Sequence, residues 1–219
     1  MFNIKTNLNF EMKRPQLWFL WTIATAISWS LVVYPGWNLW QLHVTSWQIV
    51  TSTTWDLFLS TIALGLFVGI SQYAILRRYV KVSLDWVLIS TFSYAIGSAL
   101  AFLLSVSSAA LLWPDIFLNP DTTFLLTPVL AIMLIGGGLA GLVQAYLVKS
   151  KYDFMFQDKR AITLWVLANA LSWGLGFFAS LYTRDANLPL HLQSGASGLI
   201  IGAITGLVLL VQLGRKSAN

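Results

Sequence analysis

The sequence predicts an all-α integral membrane protein: six transmembrane helices forming three parallel helical-hairpin repeats in a pseudo-threefold bundle. Three observations carry that reading. Of 219 residues, 57% are hydrophobic and only 10% charged, against about 25% charged in ordinary soluble chains. The apolar residues collect into six runs of the length that a bilayer core demands, roughly 20 residues in helix. The basic residues, finally, fall almost entirely on one side of those runs.

The six predicted spans are 17–36, 56–76, 84–106, 125–148, 162–182 and 195–213. None carries an ionisable residue away from its ends. Asp56 and Asp85 stand at the first turns of their helices, where a carboxylate suits the positive end of the helix dipole. Lys13 and Arg14 before the first run also fit a signal peptide, with Ala24-Thr25-Ala26 as a cleavage site. The apolar run continues past that point, however, and its pattern recurs in two later spans. It is therefore read as a span.

Orientation follows from the loops. Lys5, Lys13, Arg14, Arg77, Arg78, Lys81, Lys149, Lys151, Lys159, Arg160, Arg215 and Lys216 share one side, and only Arg184 falls on the other. By the positive-inside rule the first side is cytoplasmic, and so are both termini. This fits a bacterial-type inner membrane or an internal membrane of equivalent topology. The basic rim attracts anionic lipid head groups, so the expected partners are membrane lipids, other membrane proteins or a pigment, and no nucleic acid. Cysteine is absent, which excludes disulfides, thiolate metal sites and cysteine nucleophiles.

The chain reads as one transmembrane domain, 1–219, containing hairpins 17–76, 84–148 and 162–213. Trp21, Thr25, Ser28 and Trp29 in the first span match Trp165, Asn169, Ser172 and Trp173 in the fifth. Trp86, Ser90, Ser93 and Tyr94 in the third span form a looser copy. Each set places a Trp, a small polar residue at +4, a Ser at +7 and an aromatic ring at +8, and the first three of these share one helix face. The even spans carry a second pattern: Gly65, Gly69 and Gln72 match Gly137, Gly141 and Gln144. Gly202 and Gly206 follow the same spacing, with Leu209 in place of Gln. Such repeats are best sought early in a sequence, and hairpins that enter and leave on one side are parallel repeats about the membrane normal.

Two glycines four apart let a neighbouring helix come close. The polar residues Thr25, Ser28, Gln72, Ser90, Ser93, Gln144, Asn169 and Ser172 then form a layer in the inner leaflet, with Gln bonding across each hairpin. One reading of that layer is interhelical glue, worth about 0.6 kcal/mol per bond. The other is the lining of a pocket or solute path.

Between the first two spans, Trp37, Trp40, Val44 and Trp47 recur at spacings that suit an amphipathic helix over 37–55, lying in the outer interface. Trp55 and Trp113 extend that aromatic belt. Pro114-Asp115 and Asn119-Pro120-Asp121 predict turns. His43 and His191 fall in outer loops near Asp115, Asp121 and Asp185, but without metal-ligand spacing, so no metal site is expected.

Reactive groups are scarce. There is no H-E-x-x-H, no Gly-x-Ser-x-Gly, no phosphate loop and no charged residue away from the ends of a span. These absences weigh against an intramembrane protease, a proton-coupled pump and a haem protein; no cofactor is specified.

The segment Gly65 through Arg78 followed by Trp86-Val87-Leu88, with its echo in Gly137 to Gln144 and Trp165-Val166-Leu167-Ala168, resembles a group of bacterial polytopic membrane proteins with no established activity. That resemblance implies topology only. Three tandem helix pairs are also similar in architecture to mitochondrial carriers. Their charged motif is absent, since Pro35 is followed by Gly36-Trp37-Asn38-Leu39-Trp40. The expected function is non-enzymatic: binding a hydrophobic ligand, lipid or pigment, or assisting assembly of a membrane complex. The alternatives are a passive facilitator for a small neutral solute lined by Thr25, Gln72, Ser90, Gln144 and Asn169, and, behind it, an enzyme using outer-loop residues.

Overall fold

In the computed structural model the chain forms six α-helices and no other regular element among the described residues. Backbone is described for 10–42, 48–118, 122–152, 156 and 158–216, and side chains for 15–31, 59–101, 103–104, 130–152, 156, 158–184 and 186–214. The helices are α1 (Phe10–Leu42), α2 (Gln48–Leu76), α3 (Asp85–Leu118), α4 (Thr122–Lys151), α5 (Lys159–Asp185) and α6 (Leu190–Lys216). Among the described residues, four of them contain stretches long and apolar enough to cross a membrane: Leu59–Leu76, Leu130–Lys151, Lys159–Arg184 and Leu190–Gly214. The protein is a membrane-embedded helical bundle.

Each helix packs antiparallel against its neighbours in sequence, and α6 closes on α1, so the six form a ring. No two odd helices approach one another through their backbones. Among the described residues, large side chains instead meet across the middle, Trp21 against Trp86 and Trp29 against Trp173.

Two helices run further than the turn signals suggest. α1 passes through Pro35 to Leu42, and α2 begins at Gln48, so the backbone over 37–42 and 48–55 continues the two long helices and the separate interfacial helix is not seen. α3 likewise passes Pro114-Asp115 to Leu118. A proline removes one helical hydrogen bond and crowds the preceding turn, yet both helices continue past it. Of the outer features, His43, Val44, Trp47, Asn119, Pro120 and Asp121 lie outside the described residues. The side chains of Trp37, Trp40, Trp55, Trp113, Asp115 and Asp185 do so too.

Helix ends at the basic side are held by specific polar contacts. Asp158 caps α5 by accepting from Ala161 N, a preferred N-cap arrangement. Tyr152 Oη lies 3.0 Å from Ser83 N and accepts from it, tying the α4–α5 connection to the α2–α3 connection. Lys151 Nζ stands 2.9 Å from Asp85 Oδ2. At the other end α5 turns tightly into α6 through Asn187, whose φ of 55° is a left-handed value that Asn tolerates better than most residues.

Candidate functional site

The functional candidates converge on the middle of the ring. Trp21, Trp86 and Trp165 are buried, with 0–1% of each exposed. Trp21 meets Trp86 edge-on at 6.2 Å between ring centroids, and Phe156 folds back from the α4–α5 connection onto Trp165 at 5.6 Å. With Leu17, Leu76, Val148, Tyr152 and Leu209 they close the basic end of the bundle. Two turns further in lies a second aromatic set: Trp29 packs edge-on against Trp173 at 6.4 Å, and Tyr94 lies 5.6 Å from Trp173. Leu64, Val68, Ala140 and Ile201 complete that cluster.

Between the two aromatic sets lies the polar layer. Thr25, Ser28, Gln72, Ser90, Ser93, Gln144, Asn169 and Ser172 are all buried, and none is more than 4% exposed. Thr25, Ser90 and Ser172 have no solvent-accessible surface at all. Most of their hydrogen bonds stay local. Thr25 donates to Trp21 O, Ser93 to Ile89 O, Asn169 to Trp165 O and Ser172 to Asn169 O. A hydroxyl bonded to its own preceding turn is satisfied without help from a ligand.

Three contacts cross between helices. Gln144 Nε2 donates to Ser90 Oγ at 3.1 Å, joining α4 to α3. Gln144 Oε1 accepts from Trp165 Nε1 at 3.2 Å, joining α4 to α5. Ser28 and Ser71 share a bond of 3.2 Å between α1 and α2. Gln72, by contrast, leaves its buried Oε1 without a partner, and so does the indole N–H of Trp86 on the facing helix.

The glycines set how closely these helices approach. A Cβ at Gly65 would stand 2.7 Å from Thr91 Cα, and one at Gly69 would stand 3.0 Å from Val87 Cα. The corresponding atom at Gly137 would meet Asn169 O at 2.6 Å, and at Gly141 the Asn169 side chain at 2.8 Å. The Gly-x-x-x-Gly seams thus run between consecutive hairpins, α2 to α3 and α4 to α5, with α6 closing on α1, while Gly97 and Gly136 bring α3 and α4 equally close within a hairpin.

On α6 the register differs from the expected one. Gly198 sits on Ala26 and Trp29 as Gly65 sits on Thr91 and Tyr94, and Gly202 sits on Thr22 and Thr25 as Gly69 sits on Val87 and Ser90. Three residues past Gly202 comes Thr205, not Leu209, and its Oγ1 accepts from Trp21 Nε1 at 3.1 Å. Gly206 still lies in the interface, against the indoles of Trp18 and Trp21. The Trp of α1 therefore has a polar partner after all, supplied by a residue the glycine spacing did not single out. The signal was present in the sequence: Gly198, Gly202 and Thr205 repeat the same four-then-three spacing.

Further buried polar groups lie outside the predicted layer. Ser197 donates to Gly176 O at 2.7 Å, and Gln212 Nε2 donates to Ala161 O at 3.0 Å, both between α5 and α6. Among the described residues no three His, Asp or Glu side chains are grouped as a metal site. His191 is exposed on the first turn of α6, far in sequence from the buried layer.

Chemically, then, the layer holds neutral donors and acceptors, and its surroundings are aromatic. It is suited to fixing helix register. Its side chains are the hydroxyls and amides of Ser, Thr, Asn and Gln, neutral at ordinary pH. No family model, curated protein or solved structure matches the chain.

Proposed function

We propose that this is a non-enzymatic membrane protein that acts through its outer, lipid-facing surface: it binds a hydrophobic ligand, lipid or pigment, or assists assembly of a membrane complex. In this reading all six helices cross the membrane as three parallel helical-hairpin repeats about a pseudo-threefold axis, with the basic end and both termini in the cytoplasm. The sealed polar layer is the observation that carries it. Groups lacking accessible surface, held between two aromatic sets and bonded mostly to their own helices, have the character of interhelical glue. The matching contacts of Gly65–Gly69 on α3 and Gly198–Gly202 on α1, with Gly137–Gly141 seated on the equivalent stretch of α5, support the threefold arrangement. The large apolar side chains that remain exposed, among them Phe19, Leu31, Leu88, Phe92 and Tyr182, leave the exterior as the surface available to a partner.

Native mass spectrometry of protein gently extracted from its own membrane tests this. A companion protein, lipid or pigment retained in fixed stoichiometry is the expected result. A bare monomer or homo-oligomer that also speeds entry of a neutral solute into liposomes would favour the facilitator instead.

A further inference from the structure

The outer face of α3 carries a groove of about 630 Å³, and every lining side chain but that of Thr91 is hydrocarbon. Ile62 of α2 borders it on one side and Leu147 of α4 on the other, while Leu88, Phe92, Ala95 and Ala99 run along it. From Leu88 to Ala99 the groove follows α3 for roughly 16 Å at the helical rise. It is long, narrow and apolar, the shape of an extended acyl chain.

Its mouth at the basic end is polar and paired. Asp85 lies three residues before Leu88, and Lys151 lies four residues after Leu147, so each shares a helix face with its groove residue. The two side chains meet at 2.9 Å through Asp85 Oδ2 and stay 39% and 49% exposed. Ser83 Oγ donates to that same Oδ2 at 2.8 Å. Among the described residues, Asp85 Oδ1 has no partner, and an ammonium has three N–H donors, of which this ion pair engages one. An unused acceptor and unused cationic donors therefore stand side by side at the edge of the hydrocarbon.

That arrangement complements a zwitterion that carries a phosphate beside a primary ammonium. We propose that the α3 groove and the Asp85–Lys151 pair form a binding site for an ethanolamine phospholipid of the adjoining leaflet. One acyl chain lies along Leu88 to Ala99, the phosphate accepts from Lys151 Nζ, and the ammonium donates to Asp85 Oδ1. A choline head group has no N–H to give, and a glycerol head group offers Asp85 only neutral O–H donors, so the first loses and the second weakens the Asp85 half of the match. The inference deepens the lipid branch of the proposed function by naming the lipid and its place.

The test is native mass spectrometry of the full chain titrated with phosphatidylethanolamine, its mono- and dimethyl derivatives, phosphatidylcholine and phosphatidylglycerol, all with the same tails. Retention should hold while an N–H remains and fall roughly tenfold on reaching phosphatidylcholine, the value of one charge-assisted hydrogen bond. Asp85→Asn should bring phosphatidylethanolamine down to the phosphatidylcholine level. Ala99→Phe, which fills the groove far from the ion pair, should weaken all the lipids alike. Equal retention of the ethanolamine and choline lipids by the wild-type chain overturns the site, and that comparison stands even if a variant fails to fold. Undiminished retention by Ala99→Phe overturns the acyl-chain placement. A pigment or protein retained while the head-group series stays flat would refute this site and leave the broader proposal intact.

Discussion

The α2–α3 and α4–α5 seams carry the same residues to different ends. Both bring a Gly-x-x-x-Gly helix against a Trp-bearing one, with a Gln three residues past the second glycine. At α4–α5 the Gln is engaged through both its nitrogen and its oxygen: Gln144 accepts from Trp165 and donates to Ser90. At α2–α3 Gln72 and Trp86 are just as buried, and the acceptor of one and the donor of the other go unmatched. Close approach of helices therefore does not by itself align the polar groups it buries. The difference lies in what each second glycine touches. Gly141 rests on the side chain of Asn169, whereas Gly69 rests on the backbone of Val87.

The comparison breaks most severely where the seams are alike. Gly69→Leu and Gly141→Leu both drive a side chain into the opposing helix and should each cost about 3 kcal/mol or more, read as loss of the folded monomer in detergent unfolding. A large loss in one and not the other would mean that only one seam is tight.

Replacing the glutamines separates the two seams. Gln144→Leu leaves Trp165 Nε1 orphaned and should destabilise by about 2 kcal/mol, whereas Gln72→Leu removes an unmatched acceptor and should be neutral or mildly stabilising. Equal losses would show that Gln72 is engaged in the membrane. A smaller effect is expected at Gly138, on the same helix but off the seam, where a Cβ would only touch Ala170 Cβ at 3.6 Å. Gly138→Ala should raise stability by about 0.5–1 kcal/mol through helix propensity, as measured by the same unfolding assay. The smallest change should come from Lys151→Met at the half-exposed ion pair, with less than about 1 kcal/mol lost.

Much of this construction was legible in the sequence. Six of the eight polar residues of the predicted layer follow from helical periodicity around Trp21, Trp86 and Trp165, and Gln72 and Gln144 follow from their spacing to the paired glycines; both patterns depend only on local geometry. The glycines at 65, 69, 137 and 141 were legible for the same reason. Spacing says nothing about which neighbour a helix face meets: the Gln bond expected across the hairpin occurs at Gln144–Ser90, whereas the paired glycines at 65 and 69 and at 137 and 141 face the next hairpin. α6 offered two registers because Gly195, Gly198, Gly202 and Gly206 are spaced by three and four. Only the contact of Thr205 with Trp21 chooses between them. The closure of the basic end by Tyr152 and Phe156 was invisible, because a connection of mixed polarity gives no periodic signal.

The central claim is that the polar layer is sealed, and because the chain contains no cysteine it can be tested residue by residue. Single cysteines at positions 25, 72, 90, 144 and 169 should resist a water-soluble maleimide in native membranes, while a control at exposed Lys81 reacts fully. Rapid labelling at several of the five, with the protein still folded, would contradict a sealed core and point to a water-filled path through the ring.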